Sequence, residues 1–139
     1  NIKSITVPSH TYISVPLLAK KLGIELKWSS YGWLDYYYLT ENIIDAAVLW
    51  KPNSYIKGTF MCVSFQFRKH LSLGRGGIIL TDNKTAAQEL KISTMGYHYY
   101  MTPETAQLGL KKLPSALETP PRKWTLNDWV DLRNMDVFK

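Results

Sequence analysis

The residue of this sequence whose type and position most clearly suggest chemistry is a lysine just beyond an apolar run. Residues 60–65 read FMCVSF, and Lys69 follows between Arg68 and His70. A lysine at the end of a buried strand can lose its proton and act as a nucleophile or Schiff-base partner, whereas one in a solvated basic patch is an ordinary cation. Neighbouring positive charges lower a lysine pKa, so Arg68 and His70 favour the uncharged amine. The spacing hints at the uncharged amine, but on these observations together the solvated cation is the favoured interpretation.

Asp45 could place a carboxylate at a ligand-binding edge. It follows two isoleucines and precedes two alanines in residues 43–47. In α/β proteins, ligands bind at the carboxyl ends of parallel strands, and small residues leave room there for a flat group. The alternative is that Asp45 caps the start of a helix.

Ser64 and the glycines at 74–77 accompany the lysine. Ser64 is either an ordinary strand serine or a ligand for a nearby anion. The GRGG segment lacks the spacing of the dinucleotide-binding and Walker motifs, and it precedes a strand rather than a helix. We therefore expect it to form a tight turn that lets another backbone or a ligand approach closely.

Metal binding and cysteine chemistry are not indicated by the sequence. His10, His70 and His98 are far apart and have no His or Cys partner at ligand spacing. The single cysteine, Cys62, lies within the apolar run, which indicates a small buried hydrophobe rather than a nucleophile. Because it cannot form an internal disulfide, a reducing, cytoplasmic setting is expected.

The elements that must position these residues alternate between strands and helices. Residues 2–7 predict a strand, residues 14–23 a helix that Gly23 ends, and residues 24–28 a second strand, the order of a parallel α/β unit. The remaining apolar runs predict strands at 43–50, 59–65 and 76–82, and helices are expected at 85–90 and 102–113, the second capped by Thr102. The class is α/β.

Length and charge limit the possible functions. At 139 residues and 16.0 kDa, one domain is expected. A net charge of +6 and a pI near 9.4 make contact with phosphates, nucleic acid or an acidic membrane surface reasonable, although the sign selects none of them. No apolar run approaches the length of a membrane span, and no secretory signal is visible.

The order of the motifs is more specific than any one of them. IIDAA at 43–47 precedes CVSFQFRKHLSLGRGGIILTD at 62–82. This order resembles the pyridoxal phosphate site of the DegT-like (StrS-like) sugar aminotransferases, whose pattern is Asp-Ala-Ala, then Ser-Phe-x-x-x-Lys and a Gly-x-Gly-Gly turn. VPSHTYISVPLLAKKLGIELKW upstream is similar to the family's Pro-Ser-x-Thr-aromatic segment, and TMGYHYYMTPETAQLGLKKL downstream is similar to its Gly-x-Asn-x-Arg-Met segment. The resemblance covers most of residues 5–113.

The resemblance implies a role for each matched residue. Lys69 matches the lysine that holds the cofactor as a Schiff base and then moves the proton. Asp45 matches the carboxylate that pairs with the pyridine nitrogen, and Ser64 matches a hydroxyl that binds the cofactor phosphate. Tyr12 matches the aromatic side chain that stacks on the ring. His98 takes the place of an asparagine that reaches the phosphate from the neighbouring subunit.

The resemblance also implies a reaction, a fold and an assembly. An amino acid, glutamate in most of the family, passes its amine to the cofactor, which passes it to a nucleotide-linked keto sugar. The fold is a mostly parallel sheet flanked by helices, like the large domain of fold type I pyridoxal phosphate enzymes, in a homodimer with shared active sites. Residues 1–113 correspond to part of that cofactor-binding domain, and residues 114–139 to the start of a C-terminal extension or small domain.

Some features depart from the family pattern. Val48 stands where the family usually has glutamine, and Tyr100 where it has arginine. Members are more than twice as long, so the chain is expected to be a fragment, to lack internal segments near Trp28–Ser29 and Leu90–Lys91, or to be a natural truncation completed by a partner. The alternative functions are a non-catalytic relative that binds a nucleotide sugar or a partner and, less favoured, a basic nucleic-acid-binding module.

Overall fold

A parallel pair of strands with its crossover helix forms the first part of the fold. A computed structural model describes residues 2–96 and 100–139 of the chain. Strand β1 (Ser4–Pro8) pairs in parallel with β2 (Glu25–Ser29), and helix α1 (Ser14–Lys21) connects them. Gly23 follows α1 with a φ of +66°, and its N–H donates to the carbonyl of Lys20. The predicted strand, helix, strand unit and its glycine stop are confirmed.

A second sheet carries most of the candidate site residues. Its four strands lie in chain order: β3 (Tyr37–Tyr38), β4 (Ile43–Asp45), β5 (Phe60–Ser64) and β6 (Gly77–Leu80). β4 and β5 are parallel, whereas β3 and β6 run antiparallel to their neighbours. The N–H of Thr6 in β1 donates to the carbonyl of Leu39 at 2.9 Å, which connects the two sheets.

The sheet arrangement corrects the expected single, mostly parallel sheet. The class is mixed α/β, but the described strands form two small sheets, and two of their four strand pairings are antiparallel. Only four residues connect β3 to β4, which is too short for a parallel crossover. No helix lies between β5 and β6 either, so the chain returns beside β5 in the opposite direction.

Helices α2 (Lys84–Gly96) and α3 (Pro103–Glu118) follow the second sheet. The Thr102 hydroxyl accepts the N–H of Thr105, which confirms the predicted cap of α3. α2 continues through Leu90–Lys91, and β2 includes Trp28–Ser29, the two positions where missing segments are expected. None of the described helices is long and apolar enough to cross a bilayer.

Residues 119–139 form an extended segment and three short 3₁₀ turns that pack on the first sheet. Leu132 is only 1% exposed, and its N–H donates to the carbonyl of Ser9 at 2.9 Å. The ring of Phe138 meets Trp28 edge to face, with 5.4 Å between ring centroids. The domain boundary that the sequence predicts after residue 113 stays a prediction, and this position falls within α3.

The glycines of the 74–77 segment shape the return of the chain from β5 to β6. Gly74 and Gly76 have φ values of +86° and +92°, a region that favours glycine. A Cβ added to Gly77 would lie 2.4 Å from the carbonyl oxygen of Val63 in β5. The expectation of a tight turn with a close backbone approach is confirmed.

We expect Gly77→Ala to destabilise the chain by about 1–3 kcal/mol, because Ala Cβ and a backbone oxygen cannot share that space. Urea unfolding followed by tryptophan fluorescence measures the change. Gly32→Ala is the matched control, since its Cβ would meet only the Leu126 side chain at 3.5 Å. Equal stability of the two variants would contradict the close approach of β5 and β6.

Candidate active site

Four predicted site residues border one cavity of about 660 Å³: Tyr12, Asp45, Ser64 and Lys69. Asp45 and Ser64 end the parallel strands β4 and β5, so both lie at the carboxyl edge where α/β sheets bind ligands. Tyr12 precedes α1, and Lys69 lies in the turn after β5. The volume falls within the range of about 300–1,000 Å³ that is typical of small-molecule sites.

The opposite wall of the cavity is apolar. It is built mainly by the parallel unit, with these side chains: Ile5 from β1, Val15, Leu18 and Leu22 from or just after α1, and Ile24 before β2. A wall of this kind offers nonpolar contacts to a ligand, while the few polar groups of the other side can fix its orientation. The cavity therefore combines an apolar side with a polar, ionisable side.

Asp45 is held by two hydrogen bonds. The hydroxyl of Tyr37 donates to its Oδ2 at 2.6 Å, and the N–H of Ala47 donates to its Oδ1 at 2.9 Å. The Tyr37 hydroxyl also lies 3.0 Å from the buried Oγ1 of Thr11. Asp45 does not cap a helix, since a turn follows β4. Its carboxylate is fixed at the strand end, with lone pairs remaining on both oxygens.

Burial and the charge of Asp45 raise the pKa values of two neighbouring groups, the Tyr37 phenol and the Cys62 thiol. Burial, the Asp45 charge and the hydrogen bond to Asp45 raise the pKa of Tyr37, so its phenol stays protonated and remains a donor. Burial, and after it the Asp45 charge, raises the pKa of Cys62. Cys62 is half-buried and borders the cavity as a thiol, which agrees with its interpretation as a small hydrophobe.

Lys69 is partly withdrawn from water beside two tryptophans. Its Nζ lies 5.2 Å from the ring centroid of Trp124 and 6.0 Å from that of Trp129. Burial lowers the pKa of Lys69, and Arg68 lowers it further, whereas the Asp45 carboxylate raises it. The effect of Asp45 on this pKa indicates that the amine and the carboxylate interact electrostatically.

His70 does not contribute to Lys69 as expected. Its Nε2 lies 2.7 Å from the carbonyl oxygen of Ala116, and its ring packs against Trp50 at 5.2 Å between centroids. Burial is the largest cause of the lowered Lys69 pKa, and Arg68 is the cation that adds to it. The sequence placed His70 next to Lys69, but the turn directs the two side chains to different neighbours.

Ser64 lies at the start of the turn that carries Lys69. Its Oγ accepts the N–H of Gln66 at 3.3 Å, and the carbonyl of Gln66 accepts the N–H of Lys69 at 2.8 Å. In the hydrogen bond with Gln66 the Ser64 oxygen is the acceptor. The hydroxyl proton is not used in that bond and can be donated to an anion in the cavity. Ser64 and Lys69 are therefore connected through one residue of the turn.

Tyr12 and His98 are the two remaining site residues that the sequence predicts. Tyr12 borders the cavity and is 51% exposed, so its side chain is accessible to a ligand there. His98 lies outside the described residues. Among the described residues, no group of three His, Cys, Asp or Glu side chains could hold a metal ion.

The sequence did not indicate the aromatic cluster beside Lys69. Trp124 and Trp129 stack at 5.1 Å between centroids, and Trp33 contacts both Trp129 and Tyr37. Trp33 also donates its Nε1–H to the carbonyl of His10 at 2.7 Å. The available signal was the density of aromatic residues in 31–38 and in 124–129, but nothing in the spacing connected these segments to Lys69.

Comparisons with protein-family models, curated proteins and solved structures found no match to this chain. A functional assignment therefore depends on the motifs of the sequence and on the geometry of the cavity.

Proposed function

We propose that this chain is a pyridoxal phosphate-dependent aminotransferase that moves an amine from an amino acid to a nucleotide-linked keto sugar. One observation carries the proposal: Tyr12, Asp45, Ser64 and Lys69, which are far apart in the sequence, border the same cavity. Their chemical types suit a flat, anionic cofactor that carries an aldehyde. The substrate classes, with glutamate as donor, follow from the resemblance of the motifs.

The polar side of the cavity fits the cofactor. Lys69 would hold it covalently, and the lowered pKa of its amine favours the uncharged form that such attachment requires. Ser64 would donate its hydroxyl proton to the phosphate, and Tyr12 would cover one face of the ring. The cavity volume and the small Ala47 side chain leave room for a ring beside Asp45.

Asp45 would pair with the ring nitrogen. Tyr37 and Ala47 each donate a hydrogen bond to one carboxylate oxygen and so fix the orientation of the Asp45 side chain. When bound, pyridoxal phosphate withdraws electrons from the substrate carbon next to the amine, and a carboxylate at the ring nitrogen supports this effect. Asp45 thus orients the ring without reacting itself.

Lys69 would also move the proton during amine transfer. Burial lowers the pKa of its amine, which suits a group that accepts a proton as a general base and returns it as a general acid. Trp124 and Trp129 lie over its Nζ and restrict water at that atom. We further propose a homodimer, in which each subunit contributes to the site of the other.

Incubation of the chain with pyridoxal phosphate tests the proposal. We expect a new absorbance band in the visible region, which borohydride reduction removes, and a cofactor mass on the peptide that contains Lys69. Pyridoxine phosphate, which lacks the aldehyde, is the control and should leave no mass after reduction. Labels distributed over exposed lysines such as Lys3, with none on Lys69, would exclude this function.

A further inference from the structure

A second cleft lies on the other side of the Lys69 turn and is strongly cationic. It has a volume of about 860 Å³, and the turn and one face of α3 form its walls. Five of the chain's seventeen Lys and Arg residues line it, whereas no Asp or Glu of the described residues does. The five are Arg68, Lys69, Lys111, Lys112 and Arg122.

The spacing of residues on α3 produces one wall. Leu108, Lys111, Lys112 and Ser115 recur at intervals of three and four residues, so they lie along one face of the helix. Lys112 donates from Nζ to the carbonyl of Ser72 at 2.8 Å, which fixes this face against the turn. The two walls are therefore held together by a hydrogen bond at the edge of the cleft.

Few groups in the cleft offset this positive charge. Asp128 pairs with Arg122, whose guanidinium also lies 4.2 Å from the ring centroid of Trp124. Two carbonyl oxygens near the end of α3 already have donors, because Ala116 accepts from Trp50 and Ser115 accepts from Thr119.

We infer that this cleft is a binding site for a polyphosphate anion, of diphosphate size or larger. A cleft lined by charges of one sign focuses its potential on the space between its walls and concentrates counter-ions there. Arg68, Lys111 and Lys112 supply several positive charges without counting Lys69 or the paired Arg122, which suits a ligand with several charges better than a single phosphate, and lysines bind phosphates as point charges. Arg68 and Lys69 border both cavities, so a bound diphosphate would lie next to the candidate active site.

This inference does not depend on the proposed aminotransferase activity, because the cleft and its charges are present without any cofactor. A binding measurement that omits pyridoxal phosphate therefore tests the cleft alone. Failure of one proposal leaves the other standing.

Isothermal titration calorimetry of the full chain tests the inference. The ligands are pyrophosphate, a nucleoside diphosphate and inorganic phosphate, and the salt concentration is about 0.15 M so that nonspecific electrostatic attraction is screened. We expect saturable binding of the two diphosphates and weaker binding of phosphate. The melting temperature should rise with diphosphate concentration, since a ligand of the folded state stabilises it. Similar affinity for both diphosphates identifies the diphosphate group as the ligand, and tighter binding of the nucleoside form identifies a nucleotide.

The double variant Lys111→Ala/Lys112→Ala should lose at least about tenfold in diphosphate affinity, because it removes two charged partners. Lys3→Ala/Lys21→Ala removes the same charge from exposed positions outside the cleft and should bind as the parent does. Equal loss in both variants, or no saturable binding in the parent, overturns the inference. So does a single-stranded oligonucleotide that binds more tightly than the diphosphates and depends on Lys111 and Lys112, since the cleft would then be a nucleic-acid surface.

Discussion

Lys69→Ala is expected to reduce amine transfer from glutamate by about 10²–10⁴-fold, the usual contribution of a positioned acid–base group. Under the proposed function, the variant loses both the covalent attachment and the base, whereas Asp45, Ser64 and Tyr12 remain in the cavity. Chain loaded with pyridoxal phosphate is mixed with glutamate, and the rate of cofactor conversion is followed by absorbance. A parent chain that takes up the cofactor without converting it would instead support the non-catalytic relative.

Two controls separate a chemical role of Lys69 from a structural one. Lys3→Ala removes an exposed lysine and should leave the rate unchanged. Added methylamine should partly restore the rate of Lys69→Ala, because a small amine can enter the space of the missing side chain and accept the proton. A Lys69→Ala rate within about threefold of the parent rate would show that Lys69 is not the base.

The sequence predicted the polar side of the cavity because local rules determine it. An apolar run that ends in a serine or an aspartate predicts a strand end. The glycines at 74–77 predict a turn, and the turn does require positive φ values at two of them. Asp45, Ser64 and Lys69 could thus be placed by reading along the chain. Their meeting at one cavity was expected only from the resemblance to a family.

The sequence did not predict the aromatic side because it depends on long-range packing. Trp124 and Trp129 reach Lys69 only when residues 119–139 return to the first sheet, and no local pattern encodes that return. The antiparallel strand pairs were missed for another reason. The two-residue strand β3 was not predicted at all, and the mostly parallel arrangement of the other strands was taken from the family resemblance rather than from the chain itself.

The return of residues 119–139 depends on Leu132, so Leu132→Ala should destabilise the chain by about 2–5 kcal/mol. The side chain is almost completely buried, and its backbone N–H is bonded to Ser9 next to β1. Urea unfolding measures the free energy change. Leu110→Ala removes the same atoms from a side chain that is 73% exposed, and it should change stability by no more than about 0.5 kcal/mol.

A loosened C-terminal segment should also expose the Lys69 site to water. Trp124 is 8% exposed in the folded chain, and it forms part of the wall around the Lys69 amine. We therefore expect acrylamide to quench the tryptophan fluorescence of folded Leu132→Ala more strongly than that of Leu110→Ala. If both variants match the parent in stability and quenching, the segment does not pack on the first sheet. The pKa of Lys69 would then lack the burial that lowers it, and the case for Lys69 as a neutral amine would fail.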